Sequence, residues 1–321
     1  MKTLYFDCFS GISGDMVIGA LIDAGADPNV LVAELKKLHL DGEYELKWKK
    51  VVKNGITSTK FDVVLLPRAN QVENHHDDSH EAIHEDGNGH HDHEHSHNHD
   101  HVQSHDHNHE HSHDHDHDHD HEHSHDHDHG HSHNHDHSHD HEHDHGHHHH
   151  HHDHRAYKDI VELIERADFS DSVKETALKI FKRIGEAEGL IHGIPLEQVH
   201  FHEVGAVDSI IDIIGAAILI HQLQIDVVKS SSVPVGTGKI HIDHGIYPVP
   251  APATLEILKG VPIDQSDIRF ELTTPTGAAI VAVLAEEFCP IPSMTIKSIG
   301  YGAGTKTFKN HPNVLRVIIG E

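Results

Sequence analysis

The sequence predicts an α/β (mixed) protein: a mixed β-sheet covered by helices, interrupted by a long disordered His-rich insertion. Three observations lead there. Strand-like apolar runs alternate with runs at helical spacing along most of the chain, as they do where helices cover a sheet. Asn54-Gly55 stands between two alternating segments and supplies the residues a tight hairpin turn requires. Over residues 71–154 the apolar pattern stops, and that stretch holds 39 of the 47 histidines. The chain therefore divides into the first part of a globular α/β region (1–70), a His/Asp-rich metal-binding insertion (71–154) and the remainder of the globular region (155–321).

The elements follow in order. "TLYFDCF" at 3–9 reads as a strand that stops at "SGISGD". A helix runs from about Asp15 through "MVIGALIDAG", with Gly25 as its stop and Pro28 opening a second helix, "PNVLVAELKKL". "YELKWKKVVKN" and "TSTKFDVVLLP" are the hairpin strands. After the insertion, "AYKDIVELIERA" and "DSVKETALKIFKRIGEAEGLIHG" are amphipathic helices, the second capped by Ser170 or Asp171. "EQVHFHE" is a short extended piece, and "AVDSIIDIIGAAILIHQL" is a helix apolar enough to be buried on most faces. "DVVKSSSVPVG" and "IHIDHGIYPVP" supply strands, "APATLEILKG" and "TPTGAAIVAVLAEEF" helices, and "MTIKSIGYGAG" and "NVLRVIIGE" the closing strands. The glycines of "GYGAG" mark a place where a ligand can approach the backbone closely.

Charge and composition exclude several classes. The formal charge is −29 with histidine neutral, and the insertion contributes 23 of the 53 acidic residues with no lysine or arginine. The other 237 residues hold 30 acids against 24 bases, which offers nothing basic to nucleic acid or to an anionic membrane. Cys8 and Cys289 make no disulfide framework and point to a reducing compartment. Asp7 interrupts the first apolar run, so the start does not read as a signal peptide. No apolar run approaches the ~18 residues of a membrane span. The expected location is cytoplasmic, with neither nucleic acid nor membrane as partner.

The insertion has almost nothing to bury and cannot offset its conformational entropy without metal. Its alternation of His with Asp, Glu, Ser or Asn, as around His111, His113 and His115, ends in a run that includes His147, His148 and His149. Imidazole suits nickel, zinc, copper and cobalt, and a flexible chain of overlapping sites suits capture or hand-off. Ligating nitrogens must be neutral, so metal should be released near pH 6. A low-complexity expansion without a role is the competing reading.

A second candidate metal site is compact. His200 and His202 point the same way in an extended segment, Glu203 follows, and Asp208 and Asp212 share one face of the next helix. Buried carboxylates are costly unless paired or metal-bound; the plainer reading makes Asp208 an early-helix charge favoured by the dipole. "DCFSGISGD" sets the candidate catalytic pair Asp7 and Cys8 at a strand end. Ser10, Gly11, Ser13 and Gly14 follow, ahead of a helix whose first amides can cradle phosphate. Cys8 reads either as a low-pKa thiolate or as a buried apolar residue. "ELTTPTGAA" repeats the theme with Thr274, Thr276 and Gly277, or is simply an N-cap.

In this order and at these intervals, "DCFSGISGDM", the His-rich insertion before "HRAYKDI", "HGIPLEQVHFHEVGAVDSIIDIIGAA", "GTGKIHIDHGIYPVPAPAT", "ELTTPTGAAI" and "GYGAG" resemble the LarC family of nickel-insertion proteins. The resemblance covers nearly all of the sequence outside the insertion. It implies a CTP-dependent nickel cyclometallase of the lyase class. Such an enzyme inserts Ni2+ into pyridinium-3,5-bisthiocarboxylic acid mononucleotide, through nickel–sulfur and nickel–carbon bonds, to make the cofactor of lactate racemase. It implies CTP with Mn2+ or Mg2+, held by a C-terminal domain that family members carry beyond the last strand found here. This chain then resembles that enzyme or its metal- and substrate-binding part. The implied partners are the pyridinium mononucleotide, a separate C-terminal domain chain or a second copy of this chain, and lactate racemase. The competing functions are a nickel storage protein or metallochaperone without catalysis, and a CTP-independent hydrolase built on residues 200–212.

Because the insertion lacks apolar patterning, deleting residues 71–154 is expected to leave a protein that unfolds cooperatively and binds fewer nickel ions. Circular dichroism melts and metal titration check this; loss of the cooperative transition would make the insertion part of the fold.

Overall fold

The computed structural model describes residues 1–66, 155–201, 204, 206–242 and 244–321. The insertion expected over 71–154, with all its histidines, lies outside the described residues, and so do His202 and Glu203.

Strand β1 (Thr3–Asp7) buries Leu4, Tyr5 and Phe6 and turns through the first loop into helix α1 (Gly14–Asp23). Gly25, at φ +115°, ends that helix. Pro28 then opens α2 (Pro28–Leu35) behind an Asp27 cap that accepts from the Asn29 amide at 2.8 Å. Strands β2 (Tyr44–Lys53) and β3 (Ile56–Leu65) pair antiparallel, and Asn54 and Gly55 take φ of +47° and +85°, both positive as a type I′ turn demands. Three helices come next: α3 (Tyr157–Arg166), α4 (Asp171–His192) capped by Ser170, and the largely buried α5 (Val207–Gln222). Strands β4 (Val227–Ser230), β5 (Val233–Pro234), β6 (Lys239–Ile242) and β7 (Gly245–Pro248) precede α6 (Pro252–Ile257) and β8 (Ile263–Asp264). Helix α7 (Pro275–Leu284) leads to β9 (Glu287–Phe288), β10 (Ile296–Ala303) and β11 (Val314–Gly320).

Two segments differ from the sequence reading. "EQVHFHE" is not one extended piece: Leu196–Gln198 forms a 3-10 turn, and His200 bridges Ala156. Helix α7 stops at Leu284 instead of running through "AEEF", because Glu287 and Phe288 pair with Lys229 and Ser230 as an edge strand.

The main sheet has seven strands in the order β2–β3–β10–β11–β1–β4–β9. β1, β4 and β9 are parallel to one another, and β11 runs antiparallel to both β1 and β10. Helices that return the chain between parallel strands must run against them. The N-termini of α1, α5 and α7 therefore gather at the carboxyl ends of β1, β4 and β9, the edge where open α/β sheets bind ligands.

Helix α1 sits unusually close to the sheet, and glycines make this possible. A Cβ on Gly302 would stand 1.8 Å from the Met16 carbonyl oxygen, one on Gly300 2.1 Å from that of Ala20, and one on Gly19 2.4 Å from that of Thr59. The backbone that approaches "GYGAG" is thus helix α1. The Asp23 carboxylate closes the same contact: it accepts from Thr59 Oγ1 at 2.7 Å and from the Tyr301 amide at 2.9 Å, and pairs with Lys50. It ties β10 to β3 where those strands share only the Gly302–Thr59 pair.

The ends of the undescribed stretch meet at one residue. The Leu66 amide donates to the Glu43 carbonyl at 2.9 Å, and the Arg155 guanidinium pairs with the Glu43 carboxylate at 2.9 Å.

Replacing Gly302 by valine is expected to cost about 3 kcal/mol or more, because neither the helix backbone nor the strand can yield 1.5 Å or so without losing packing elsewhere. Thermal denaturation should show Tm lowered by ~6–12 °C, whereas Gly55→Ala, whose Cβ meets open space and whose cost is only the strain of its +85° φ, should lose about 1–2 kcal/mol.

Candidate functional site

A cavity of about 390 Å3 opens where the three helix N-termini meet. Ser13, Gly14 and Asp15 of α1, Asp208 and Asp212 of α5, and Thr274 and Thr276 of α7 line it. Lys60, Phe61 and Asp62 of β3 form a further wall, and Glu271 and Thr305 also line it. Backbone pairing holds the first loop against the start of α7: the Ile12 amide donates to the Leu272 carbonyl at 3.1 Å and the Thr274 amide to the Ile12 carbonyl at 3.1 Å. This pairing needs glycine on both sides. Gly11, at φ +89°, leaves no room for a Cβ beside the Leu272 carbonyl, and Gly277 leaves none beside that of Ile12.

The N-cap residues of α1 and α5 make no side-chain cap, but within the first turn of α5 the Ser209 amide donates to Asp208 Oδ1 at 2.8 Å and at the start of α1 the Asp15 amide donates to the Asp212 carboxylate; α7 is capped by Thr274, which accepts from the Gly277 amide at 3.2 Å. Helix N-termini carry partial positive charge, and three together favour an anion. Lys60 adds a full charge. Its Nζ lies 2.7 Å from Asp15 Oδ2 and 2.8 Å from Asp62 Oδ1, and it is buried. Burial alone would lower its pKa, but Asp15 and Asp62 outweigh burial and leave it raised.

Against these stand five carboxylates along the lining: Asp15, Asp62, Asp208, Asp212 and Glu271. Asp212 is the most strained electrostatically. Its Oδ1 is buried with no hydrogen-bond partner. Burial, then the neighbouring Asp15 and Asp208, push its pKa well above the usual carboxylate range. A buried, unpartnered acceptor on a cavity wall is a group awaiting a proton, a donor or a cation.

The model of the nickel insertion protein family matches residues 4–321. The chain belongs to that family. It is 45% identical over its full length to the pyridinium-3,5-bisthiocarboxylic acid mononucleotide nickel insertion protein of Geobacillus kaustophilus, of which it covers 60%. It is 45% identical to the protein of that name from Clostridium acetobutylicum, covering all of this chain and 64% of the relative. It is 40% identical to one from Staphylococcus epidermidis, covering 99% of this chain and 59% of the relative. The chain thus spans about three fifths of the length of these relatives. No solved structure matches it.

On this family member the residues singled out from sequence separate into groups. Ser13, Gly14, Thr274, Thr276, Asp208 and Asp212 all come together at the cavity. Ser10, Gly11 and Gly277 do not line it. Ser10 is buried, bonded to His311 Nε2 at 2.7 Å and to the Pro312 carbonyl, and the two glycines serve the backbone pairing. Asp7 is engaged at the strand end by Arg316, whose Nε donates at 2.7 Å. Of the two readings of Cys8, its complete burial agrees with the buried apolar residue: desolvation pushes its thiol up to about 12, with Ser230 Oγ 3.6 Å from the sulfur. His200 is exposed and not among the cavity residues. Among the described residues no three His, Cys, Asp or Glu side chains are placed to hold a metal ion, and no helix is long and apolar enough to cross a membrane.

Sequence reasoning missed Lys60, Asp15 and Asp62. "STKFDV" reads as an ordinary alternating strand, yet Ser58, Thr59, Lys60 and Phe61 are all buried, so both faces of β3 are covered there. A lysine in a doubly covered strand is a signal only once the cover is known.

The raised Asp212 pKa sets a pH dependence. The folded state holds a proton on Asp212 at pH values where the unfolded chain, near pKa ~3.9, has lost it. Stability from this group is therefore present at acid pH and declines as pH rises from about 4 through the folded pKa. Asp212→Asn should abolish that slope and raise Tm at neutral pH by ~3–8 °C, equivalent to about 1–2 kcal/mol; melts between pH 4 and 8 check it.

Proposed function

We propose that this chain binds the phosphate of a pyridinium mononucleotide in the cavity at the starts of α1, α5 and α7, and takes part in nickel insertion into that molecule. The observation that supports this most directly is the convergence of three helix N-termini and Lys60 on one cavity. The substrate class comes from the relatives' names. A phosphate there meets the positive ends of the three helices, the Thr276 hydroxyl and the Lys60 ammonium.

Charge balance supports nickel at the same place. Five carboxylates and one lysine make the empty cavity negative, so an anion enters favourably only with a cation. Asp208 and Asp212 present oxygen ligands, and a nickel ion arriving there completes its shell from sulfur and oxygen donors of the nucleotide itself, since the described residues offer no ready-made site. The insertion raises the local nickel supply. His200, His202 and Glu203 enter this reading as further candidate nickel ligands, on their residue types alone. CTP dependence, with Mn2+ or Mg2+ accompanying the nucleotide, and a lyase-class reaction follow from the family resemblance and are part of the same proposal.

The test combines the full chain with Ni2+, the pyridinium mononucleotide and CTP, with and without the remaining part of a relative, and detects the nickel product by mass spectrometry. Lys60→Met should weaken mononucleotide binding ~10- to 100-fold, the loss of about 1.5–3 kcal/mol from a charged hydrogen bond. Nickel binding without any mononucleotide binding would instead make the chain a nickel store or metallochaperone.

A further inference from the structure

Beside the cavity lies a row of four aromatic rings that the phosphate site does not use. Phe270 and Phe308 have centroids 5.7 Å apart, Phe308 and His311 6.3 Å, and His311 and Phe9 6.3 Å. The spacings are those of tilted and edge-to-face pairs. A cation stands at each end: Lys306 Nζ is 5.6 Å from the Phe270 centroid, and Arg316 Cζ is 5.8 Å from that of Phe9. The row adjoins the cavity through the chain, because Phe270 precedes Glu271 and Lys306 follows Thr305, and both neighbours line the cavity. It is also fixed to the first loop, through the 2.7 Å contact between His311 Nε2 and Ser10 Oγ.

The row is not sealed in the core. Phe9 is 37% exposed, and Phe270, Phe308 and His311 are half-buried. With Lys306 over one end ring and Arg316 over the other, the part-exposed Phe308 and His311 between them match one kind of ligand: a flat ring that is itself cationic and carries anionic groups at its edges. The ring's positive charge is attracted to an aromatic face, and its edge anions reach Lys306 and, less strongly because it already serves Asp7, Arg316.

We propose that the pyridinium ring of the mononucleotide stacks on the middle of this row, at Phe308 and His311 between the cation-covered Phe270 and Phe9, while its phosphate occupies the cavity. This rests on the phosphate assignment above and adds the place and the residues that recognise the ring.

The experiment separates the two claims by using two probes on the full chain: nicotinate mononucleotide, a pyridinium mononucleotide with one edge carboxylate, and ribose 5-phosphate, which has no ring. Isothermal titration is expected to show the first binding the parent ~10-fold more tightly or better, since stacking on an aromatic side chain contributes that order of affinity. Phe308→Ala should remove most of that difference and leave ribose 5-phosphate within about twofold, whereas Lys60→Met weakens both. Phe308→Leu, which keeps apolar bulk without a π face, should behave like Phe308→Ala and covers the case in which alanine unfolds the loop. Equal affinity of the parent for both probes, or full retention of the difference in Phe308→Leu, overturns the platform while leaving the phosphate site standing. Failure of both probes to bind the parent overturns both claims.

Discussion

The close approach of helix α1 to strands β3 and β10 is the contact on which the rest of the structure depends. It exists because Gly19, Gly300 and Gly302 have no side chain to interpose. With the helix pressed onto the sheet, Asp23 at its end reaches both strands and joins them where their own ladder is a single pair. At the other end, the same placement brings Gly14 against Asp212 of α5, so tightly that a Cβ on Gly14 would stand 2.5 Å from its Oδ2. The cavity is therefore positioned by backbone, and its side chains inherit that precision. Sites built on rigid elements hold their geometry better than sites carried on free loops.

The electrostatics of the site are a compromise between attraction and release. Three helix starts and a buried lysine attract anions, but Asp15 and Asp62 already compensate the lysine, and Asp212 has an oxygen without a partner. Such a cavity is not a deep trap for phosphate alone. It prefers a ligand in which negative and positive groups arrive together, which is the chemical character of a metal-bound zwitterionic nucleotide. A site that hands on its product gains from having no excess affinity for one half of it.

Much of this was legible in the residues. Asn54-Gly55, Pro28, Gly25 and the period of the apolar runs locate most elements, because turn and cap chemistry is local. The small-residue loops before α1 and α7 were recognisable for the same reason, and they do meet at one cavity. The individual roles were less readable. Ser10 and Ser13 look alike in sequence, yet one is buried under His311 and Pro312 and the other lines the cavity. Cys8 and Lys60 look ordinary in the sequence, and only the layers above them decide that the first is a buried thiol with a raised pKa and the second a buried charge. Residue type and spacing report local conformation; which groups converge is a property of sheet order and helix direction.

Leu66 and Arg155, which flank the stretch from 67 to 154, are both tied to Glu43. Its entry is held by the Glu43 carbonyl and its exit by the Glu43 carboxylate. The globular part registers only that the two ends are together, not how much chain lies between them. Closure entropy grows with the logarithm of length, so doubling the stretch costs only about 0.6 kcal/mol. The number of residues carried between 66 and 155 can therefore change with almost no consequence for the fold that holds both ends.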